Sequence, residues 1–308
     1  YPRAPKYYLI KWTIDWIIKY GISGFRIDTA KHTEPELWAI LRKEAEYAFK
    51  QWKKNNPDYP FKNASFFMMG EVYGYGLPSA RWYDFGDKKV DFYANGMDAL
   101  INFDFKYAVD QNLSTTFKTY DQILGSKDMS GKSVVHYLNS HDDGSPFDKE
   151  RKMPYKSANL LMLAPGSVQI YYGDETSRPL NIPANGDATL RSFMNWEELK
   201  DTRELQNILA HWQKLGQFRK NHPAVASGKY ESISENPFVF GRKLGKKDVF
   251  IAGLDLKKGR KTIPVKEFFK EGSRVKDFYS GIESFVKNGQ IEIDTPFDLV
   301  LIEKASLP

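Results

Sequence analysis

Hydrophobic and polar positions follow the period of a helix at the start of this chain and then the period of a strand. Isoleucines recur at helical spacing between residues 6 and 20, and Gly21 follows where a helix cap is expected. The run ISGFRID then predicts a strand that places Arg26 and Asp28 on the same face. The pattern therefore predicts a helix that leads directly into a strand.

Helices and strands continue to alternate up to about residue 228. Thr33-Glu34-Pro35-Glu36 predicts a capping box, and an apolar stripe from Leu37 to Trp52 predicts the helix that the box opens. Four more apolar runs predict strands: FFMMGEV, INFDF, SVVHYLN and SVQIYYG. A last amphipathic helix is predicted to end near Asn221. Strands that alternate with helices predict a parallel sheet covered on both faces, here with five strands.

From about residue 229 the pattern changes to short alternating strands separated by turns. The predicted strands are FVFGRKL, VFIAGLDL, RVKDFYS, QIEID and FDLVLIEK. A turn is predicted at residues 244–248, where a glycine stands among lysines. The sequence therefore predicts a second domain, a small antiparallel β-domain, over residues 229–308.

Three acidic residues come at the end of an apolar run, each within a recognisable motif. Asp28 lies in GFRIDTAKH, Glu71 in FFMMGEV and Asp142 in VVHYLNSHDD. Side chains at the carboxyl ends of barrel strands converge on one mouth, so we interpret the sheet as part of a (β/α)₈ barrel. Such a barrel needs eight strands. We therefore expect a preceding segment of the native protein to supply about three more strands and to close the barrel.

Carboxyl groups at one mouth suit the hydrolysis of a glycosidic bond. Retaining hydrolysis needs a carboxylate nucleophile and a protonated carboxyl roughly 5 Å away. Arg26 shares the strand face of Asp28 and favours an ionised nucleophile there, whereas the apolar residues before Glu71 favour a general acid. His141 and Asp142 add an imidazole and a third carboxylate, which can grip hydroxyl groups and stabilise positive charge in the transition state.

Each of these residues also has a structural interpretation when it is taken alone. An aspartate after a strand is more often a turn or helix-cap residue, Arg26 could be only a salt-bridge partner, and His141 only a structural histidine. Lys31 could be a solvated charge and Tyr73 a core ring. Three acids that each end an apolar run within a recognisable motif together favour catalysis over these interpretations.

Composition excludes several classes of function. The 45 basic and 39 acidic residues give a net charge of +6 and are interspersed, so no nucleic-acid-binding surface is predicted. The absence of cysteine excludes disulfides, thiolate metal sites and cysteine nucleophiles. No apolar stretch approaches the roughly 20 residues of a membrane span. The sequence also lacks dinucleotide, P-loop and HExxH motifs.

The motifs GFRIDTAKH, GEV and NSHDD resemble the conserved regions of the α-amylase family of glycoside hydrolases. INFDF, APGSVQIYYGDE and LRSFMNW extend the resemblance to about residue 225, and the bacterial periplasmic α-amylases look most similar. The resemblance implies that residues 1–228 are the C-terminal five-strand portion, strands 4 to 8, of a (β/α)₈ TIM barrel. It also implies that residues 229–308 form a small antiparallel β-sandwich domain.

The resemblance further implies a role for each matched residue. Asp28 would be the nucleophile, Glu71 the general acid/base and Asp142 the stabiliser of the transition state. Residues with implied sugar-binding roles are Arg26, Lys31, His32, Tyr73 and His141. A structural calcium ion is also implied, with the backbone carbonyl of His32 as one ligand and its other usual ligands outside the sequence. Asp143 is not the family's usual residue, which implies a changed sugar subsite.

The predicted activity is retaining endo-hydrolysis of α-1,4-glucosidic bonds in starch, glycogen and maltooligosaccharides, the α-amylase reaction (EC 3.2.1.1). Two alternatives stay open: an α-glucosidase or glucanotransferase with the same residues, and a non-catalytic glucan-binding member. An α-glucan is the expected partner, while nucleic acid and membrane are not expected. A periplasmic or secreted location is implied by the kind of relative alone.

Overall fold

The computed structural model describes residues 4–180, 183 and 185–305. These residues form two compact units. Unit 1 contains the chain up to Asp104 together with Ser126–Val135, and unit 2 contains Phe105–Gly125 together with the chain from His136 onward. None of the helices in these ranges combines the length and the apolar character that a bilayer span requires.

Unit 1 is built on parallel strands and two long helices. Its helices are α1 (Pro5–Tyr20) and α2 (Pro35–Asn55). Its strands are β1 (Gly24–Ile27), β2 (Phe67–Gly70), β3 (Trp82–Asp84), β4 (Lys89–Asp91), β5 (Ala99–Asn102) and β6 (Ser133–His136), the last residue of which belongs to unit 2. Three short 3-10 helices span Ala30–His32, Leu77–Ser79 and Lys127–Met129. The β3–β4 hairpin was not predicted from the sequence.

The parallel sheet has the strand order β1-β2-β5-β6-β7, where β7 is Ser167–Val168. Strands β1 and β2 pair in the register Ile27 to Gly70, so their carboxyl ends lie side by side. In unit 2 the Gln169 amide donates to the His136 carbonyl (2.8 Å). The five predicted parallel strands are confirmed, although INFDF and SVQIYYG each form a strand over only their first two residues.

The sequence predicted the end of α1 correctly but not the start of α2. Gly21 caps α1 as predicted, with a left-handed φ of 69° and its amide bonded to the Ile17 carbonyl (2.8 Å). The predicted capping box of α2 was wrong. The N-cap is Glu34, which makes no side-chain capping bond, and Pro35 opens the helix, a position where a missing amide hydrogen costs nothing.

Unit 2 combines helices with a C-terminal antiparallel β region. Its helices are α3 (Phe105–Gln111), α4 (Leu113–Leu124), α5 (Pro154–Met162), α6 (Trp196–Asp201), α7 (Arg203–Asn221) and α8 (Ala224–Ser227), and a 3-10 helix spans Gly186–Leu190. After β7, its strands are β8 (Lys229–Glu235), β9 (Phe238–Leu244), β10 (Asp248–Leu254), β11 (Gly259–Pro264), β12 (Arg274–Asp277), β13 (Glu283–Phe285), β14 (Gln290–Thr295) and β15 (Val300–Lys304).

The antiparallel region has a six-stranded sheet, β13-β12-β15-β10-β9-β8, and a two-stranded sheet, β11-β14. Alternate residues such as Ile251, Ile263, Ile293 and Ile302 are buried together in one apolar core. The five strands predicted from the sequence are present, and β8, β11 and β13 are additional. These three were not predicted because their sequences, KYESISE, GRKTIP and ESF, contain few apolar residues. An α/β fold followed by an antiparallel β region is thus confirmed.

Candidate active site

Asp28 and Glu71 lie next to each other in unit 1 because each follows the last residue of a paired parallel strand. The Glu71 amide donates to the Ile27 carbonyl (2.8 Å), and the Ala30 amide donates to the Glu71 carbonyl (2.8 Å). The β1–β2 ladder therefore continues past both strand ends. This backbone pairing holds the two acids at the same edge of the sheet.

One guanidinium connects the two carboxylates. Arg26 Nη1 hydrogen-bonds Asp28 Oδ1, and Arg26 Nη2 lies 3.3 Å from Glu71 Oε2, which also accepts from the Thr29 amide (3.0 Å). The sequence placed Arg26 beside Asp28 and gave no indication of its contact with Glu71. Burial, rather than the arginine, distinguishes the acids: the Asp28 side chain is 66% exposed, whereas that of Glu71 is 11% exposed.

Lys31 and Tyr73 form a second cluster in unit 1 with a residue that the sequence analysis missed, Tyr83 of β3. Lys31 Nζ donates to the Tyr73 carbonyl and to the Tyr83 hydroxyl (both 3.0 Å), and that hydroxyl donates to the Tyr73 carbonyl (2.9 Å). The ammonium also lies 5.0 Å from the centroid of the Tyr73 ring, which is 61% exposed. The sequence offers no signal for Tyr83, because only the unpredicted hairpin brings it to Lys31.

His32 ends the 3-10 helix Ala30–His32 and is exposed, with its amide bonded to the Thr29 carbonyl (2.9 Å). Within residues 4–180, 183 and 185–305, no group of three or more His, Cys, Asp or Glu side chains could hold a metal ion. These side chains therefore do not by themselves supply the acidic ligands of a calcium site. Calcium binding through the His32 carbonyl stays a prediction.

His141 and Asp142 lie on an exposed loop of unit 2 after β6. The Asp142 amide bonds to the Ser140 hydroxyl (3.3 Å), and Arg191 Nε donates to the His141 carbonyl (2.9 Å). A hydrogen bond with Asp142 raises the pKa of the Asp187 carboxyl above its ordinary value. Arg191 lies in the LRSFMNW motif but had been given no role, and no sequence signal indicated Asp187.

Asp143 points into the protein, directly after the exposed Asp142. Its carboxylate lies 2.5 Å from Lys106 Nζ, and both side chains are only 5% exposed. Lys106 also donates to the Ser145 carbonyl (2.6 Å), and the Ser145 amide donates to Asp143 Oδ1 (2.9 Å). Asp143 and Lys106 thus form a buried ion pair that anchors the loop.

A second buried cluster lies at the start of the same loop. Asn139 Nδ2 donates to Asp174 Oδ1 (2.9 Å), and Arg151 Nη2 lies 2.8 Å from the same oxygen. Burial raises the pKa of Asp174, an effect that the Arg151 guanidinium and the Asn139 amide oppose. The loop is therefore fixed at Asn139 and at Asp143, while the two residues with predicted functions between them face solvent.

The chain is similar in sequence to several known proteins. Residues 4–206 match the catalytic domain of alpha-amylases. The chain is 40% identical over 236 residues to a periplasmic alpha-amylase of Escherichia coli (strain K12), a match that covers 75% of the chain and 32% of that protein. It is 28% identical over 249 residues to a cyclomaltodextrin glucanotransferase of Geobacillus stearothermophilus, covering 76% and 30% respectively.

A solved structure with a similar fold is that of AmyP in complex with maltose. It has a TM-score of 0.68 at 16% identity and matches 99% of this chain and 69% of that one. The chain spans about a third of the length of the two curated relatives. The match to the catalytic domain covers well over half of the chain, and the relative at 40% identity covers three quarters of it. The chain therefore belongs to the α-amylase family of glycoside hydrolases.

Proposed function

We propose that the whole protein hydrolyses internal α-1,4-glucosidic bonds of starch, glycogen and maltooligosaccharides with retention of configuration, as an α-amylase (EC 3.2.1.1). The observation that carries this proposal is the pair of carboxylates at the ends of β1 and β2, joined by Arg26. One acid is exposed and the other is mostly buried, which suits a nucleophile beside a general acid.

In the proposed reaction, Asp28 attacks the anomeric carbon and forms a glycosyl ester while the bond to the leaving sugar oxygen breaks. Glu71 gives its proton to that oxygen. Glu71 then takes a proton from water, the resulting hydroxide attacks the same carbon, and the Asp28 carboxylate is released. Asp142 stabilises the oxocarbenium-like transition state.

The remaining predicted site residues bind sugar in this proposal. Arg26 and His141 hold the glucose unit at the cleavage position, and Lys31, His32 and Tyr73 bind units on the leaving-group side. The exposed Tyr73 ring beside the Lys31 ammonium supports that role, because it offers an apolar face next to a donor.

The resemblance to family members also supports proposals about the rest of the protein. We infer a closed (β/α)₈ barrel, a C-terminal β-sandwich and a structural calcium ion. A periplasmic or secreted location is supported by the Escherichia coli relative, which is a periplasmic enzyme.

A glucanotransferase is the second candidate, favoured by the similarity to the Geobacillus enzyme. It would form the same glycosyl ester on Asp28 but transfer the sugar to a hydroxyl group of another glucan instead of water. Product analysis on amylose separates the candidates. Internal hydrolysis gives mixed maltooligosaccharides and new reducing ends, transfer gives lengthened or cyclic chains, and an α-glucosidase releases glucose.

The first experiment is a time course of iodine staining and reducing sugars on amylose, with the wild-type whole protein and its Glu71→Gln variant. We expect early loss of iodine colour in the wild type and a rate about a thousandfold lower in the variant, since general acid catalysis contributes roughly 10²–10⁴. Glu36→Gln, at an exposed glutamate of α2, is the matched control and should keep the wild-type rate. Unchanged hydrolysis by Glu71→Gln would refute the proposal. If neither wild type nor variant acts while both bind maltooligosaccharide, the non-catalytic alternative is correct.

A further inference from the structure

A cleft in unit 2 contains none of the residues to which a function was assigned above. It is lined by residues of α5 and α7 and of the antiparallel β region, and its volume is about 570 Å³. Pockets for small ligands have volumes of roughly 300–1,000 Å³. The cleft is therefore large enough for a ligand, and its lining indicates which kind.

The cleft offers an aromatic surface. The rings of Tyr279 and Phe297 lie edge to face with their centroids 4.9 Å apart, and Phe297 is 36% exposed. Lys214 donates to the Tyr279 carbonyl (2.7 Å) and lies 4.8 Å from the centroid of the Tyr279 ring. An aromatic ring that is held in place and open to solvent can stack on the apolar C–H face of a ligand.

The same cleft offers side-chain amides and a neutral imidazole. Asn159 and Asn207 line it from α5 and α7, and within the described residues Asn159 Oδ1 is a buried acceptor that receives no hydrogen bond. A buried acceptor without a donor is unfavourable, and a ligand hydroxyl relieves this when the Asn159 amide turns into the cleft. His211 bonds to the Tyr279 hydroxyl through Nδ1 (2.7 Å), and burial lowers the pKa of His211 to about 4, so the ring is uncharged at neutral pH.

The charges around the cleft offset one another. Lys214 and Lys258 line it together with Asp298, and Glu204 accepts a hydrogen bond from Tyr155, another lining residue (3.0 Å). Two positive and two negative groups favour neither an anion nor a cation. A sugar fits such a cleft, because it has no charge, several hydroxyl groups and an apolar C–H face.

We propose that this cleft is a second sugar-binding site, which takes a short α-linked glucose oligomer through stacking on Phe297 and hydrogen bonds to Asn159 and Asn207. The identity of the sugar rests on the proposed function. The site lies wholly within unit 2 and uses none of the residues assigned to the reaction. It would hold a glucan without cleaving it.

The test is a calorimetric titration of maltotriose into the whole protein carrying Glu71→Gln, which prevents turnover. We expect two binding events per molecule. Adding Phe297→Ala should weaken one of them about tenfold through loss of stacking, and Asn207→Ala should weaken the same event. Phe285→Ala removes a more exposed ring, 54% against 36%, from β13 outside the cleft, and should change neither event.

Titrations of Phe297→Ala and Asn207→Ala that match that of Phe285→Ala would overturn the inference, as would a single binding event in the starting protein. Asn207 is exposed on α7, so its replacement by alanine keeps the fold and decides the matter if Phe297→Ala is unstable. Amylose hydrolysis by the wild type tests the proposed function separately. Loss of cleft binding in a protein that hydrolyses nothing would support the cleft and refute the reaction.

Discussion

The surroundings of Asp28 and Glu71 in unit 1 differ from those of the Asp142 loop in unit 2. The first two acids are held by strand pairing and by Arg26, whose side chain is 32% exposed. The loop that bears Asp142 is held by the Lys106–Asp143 pair and by the cluster of Asp174, both almost entirely buried. Exposed pairs contribute little to stability, whereas a buried charge that loses its partner destabilises strongly.

Because of this difference, we expect substitutions in the two regions to have different effects on activity and on stability. Damage to the Arg26 bridge should reduce activity and leave stability almost unchanged. Damage beneath the Asp142 loop should reduce stability first, and activity only because the loop is no longer held.

The largest effect on stability is expected for Lys106→Met, which leaves Asp143 charged, buried and unpaired. We expect the free energy of unfolding of the whole protein to fall by about 3–5 kcal/mol, measured by urea denaturation. Lys200→Met removes an exposed lysine 2.8 Å from Glu197 and should cost about 1 kcal/mol or less. Equal losses in the two variants would contradict the view that burial makes the difference.

The next largest effect is expected for Arg26→Lys. An ammonium cannot donate to both carboxylates as the planar guanidinium does, so Asp28 and Glu71 lose their shared partner. We expect kcat/KM on maltooligosaccharides to fall about a hundredfold while the free energy of unfolding changes by about 1 kcal/mol or less. Arg274→Lys alters the exposed pair with Glu283 and should keep full activity. A stability loss in Arg26→Lys comparable to that in Lys106→Met would refute the comparison.

A third prediction concerns His222, which bonds through Nδ1 to Asp248 and through Nε2 to Glu303 (both 2.8 Å). Burial lowers the pKa of His222, but the two carboxylates outweigh burial and the net pKa is raised above the ordinary 6.5. The protonated form is thus favoured on folding. This stabilisation is complete below pH about 6.5 and is lost as the pH rises through the folded-state pKa.

Unfolding of the wild type and of His222→Gln, measured between pH 5 and pH 9, tests this sign. The free energy difference between the two proteins should shrink as the pH rises. His32→Gln, at an exposed histidine in unit 1, should follow the wild-type profile. A difference that grows with pH would show that His222 is held in its neutral form.

The smallest effect is expected for Tyr83→Phe, which removes the hydroxyl that joins Lys31 to the Tyr73 carbonyl. Lys31 keeps its bond to that carbonyl but loses one of its two fixed partners. We expect KM for maltooligosaccharides to rise about fivefold with kcat within about twofold, because only sugar binding is affected. Tyr47→Phe, at an exposed tyrosine of α2, should change neither constant. A fall in kcat alone would mean that Tyr83 acts on the reacting groups instead.

Some predictions from the sequence succeeded because they depended on local patterns. The Gly21 cap, the five parallel strands and the adjacency of Asp28 and Glu71 follow from residue spacing, and all are present. The capping box predicted for α2 was wrong although its residue types fit the motif, because Pro35 begins the helix and Thr33 lies outside it. The assigned roles of Asp28, Glu71 and Asp142 stay predictions.

The sequence alone predicted the alternation of helices with the five parallel strands and the strand-end position of the acids, and it contains the family motifs that identify them. These features could be predicted because they depend on the alternation of apolar residues and on the residue type at single positions, both of which are local in the chain. Only the tertiary structure showed that Arg26 contacts two acids, that Lys106 pairs with Asp143, that Tyr83 holds Lys31 and that Phe297 lines a cleft in unit 2. Each of these contacts joins residues far apart in the chain, and such contacts depend on packing that no local pattern encodes.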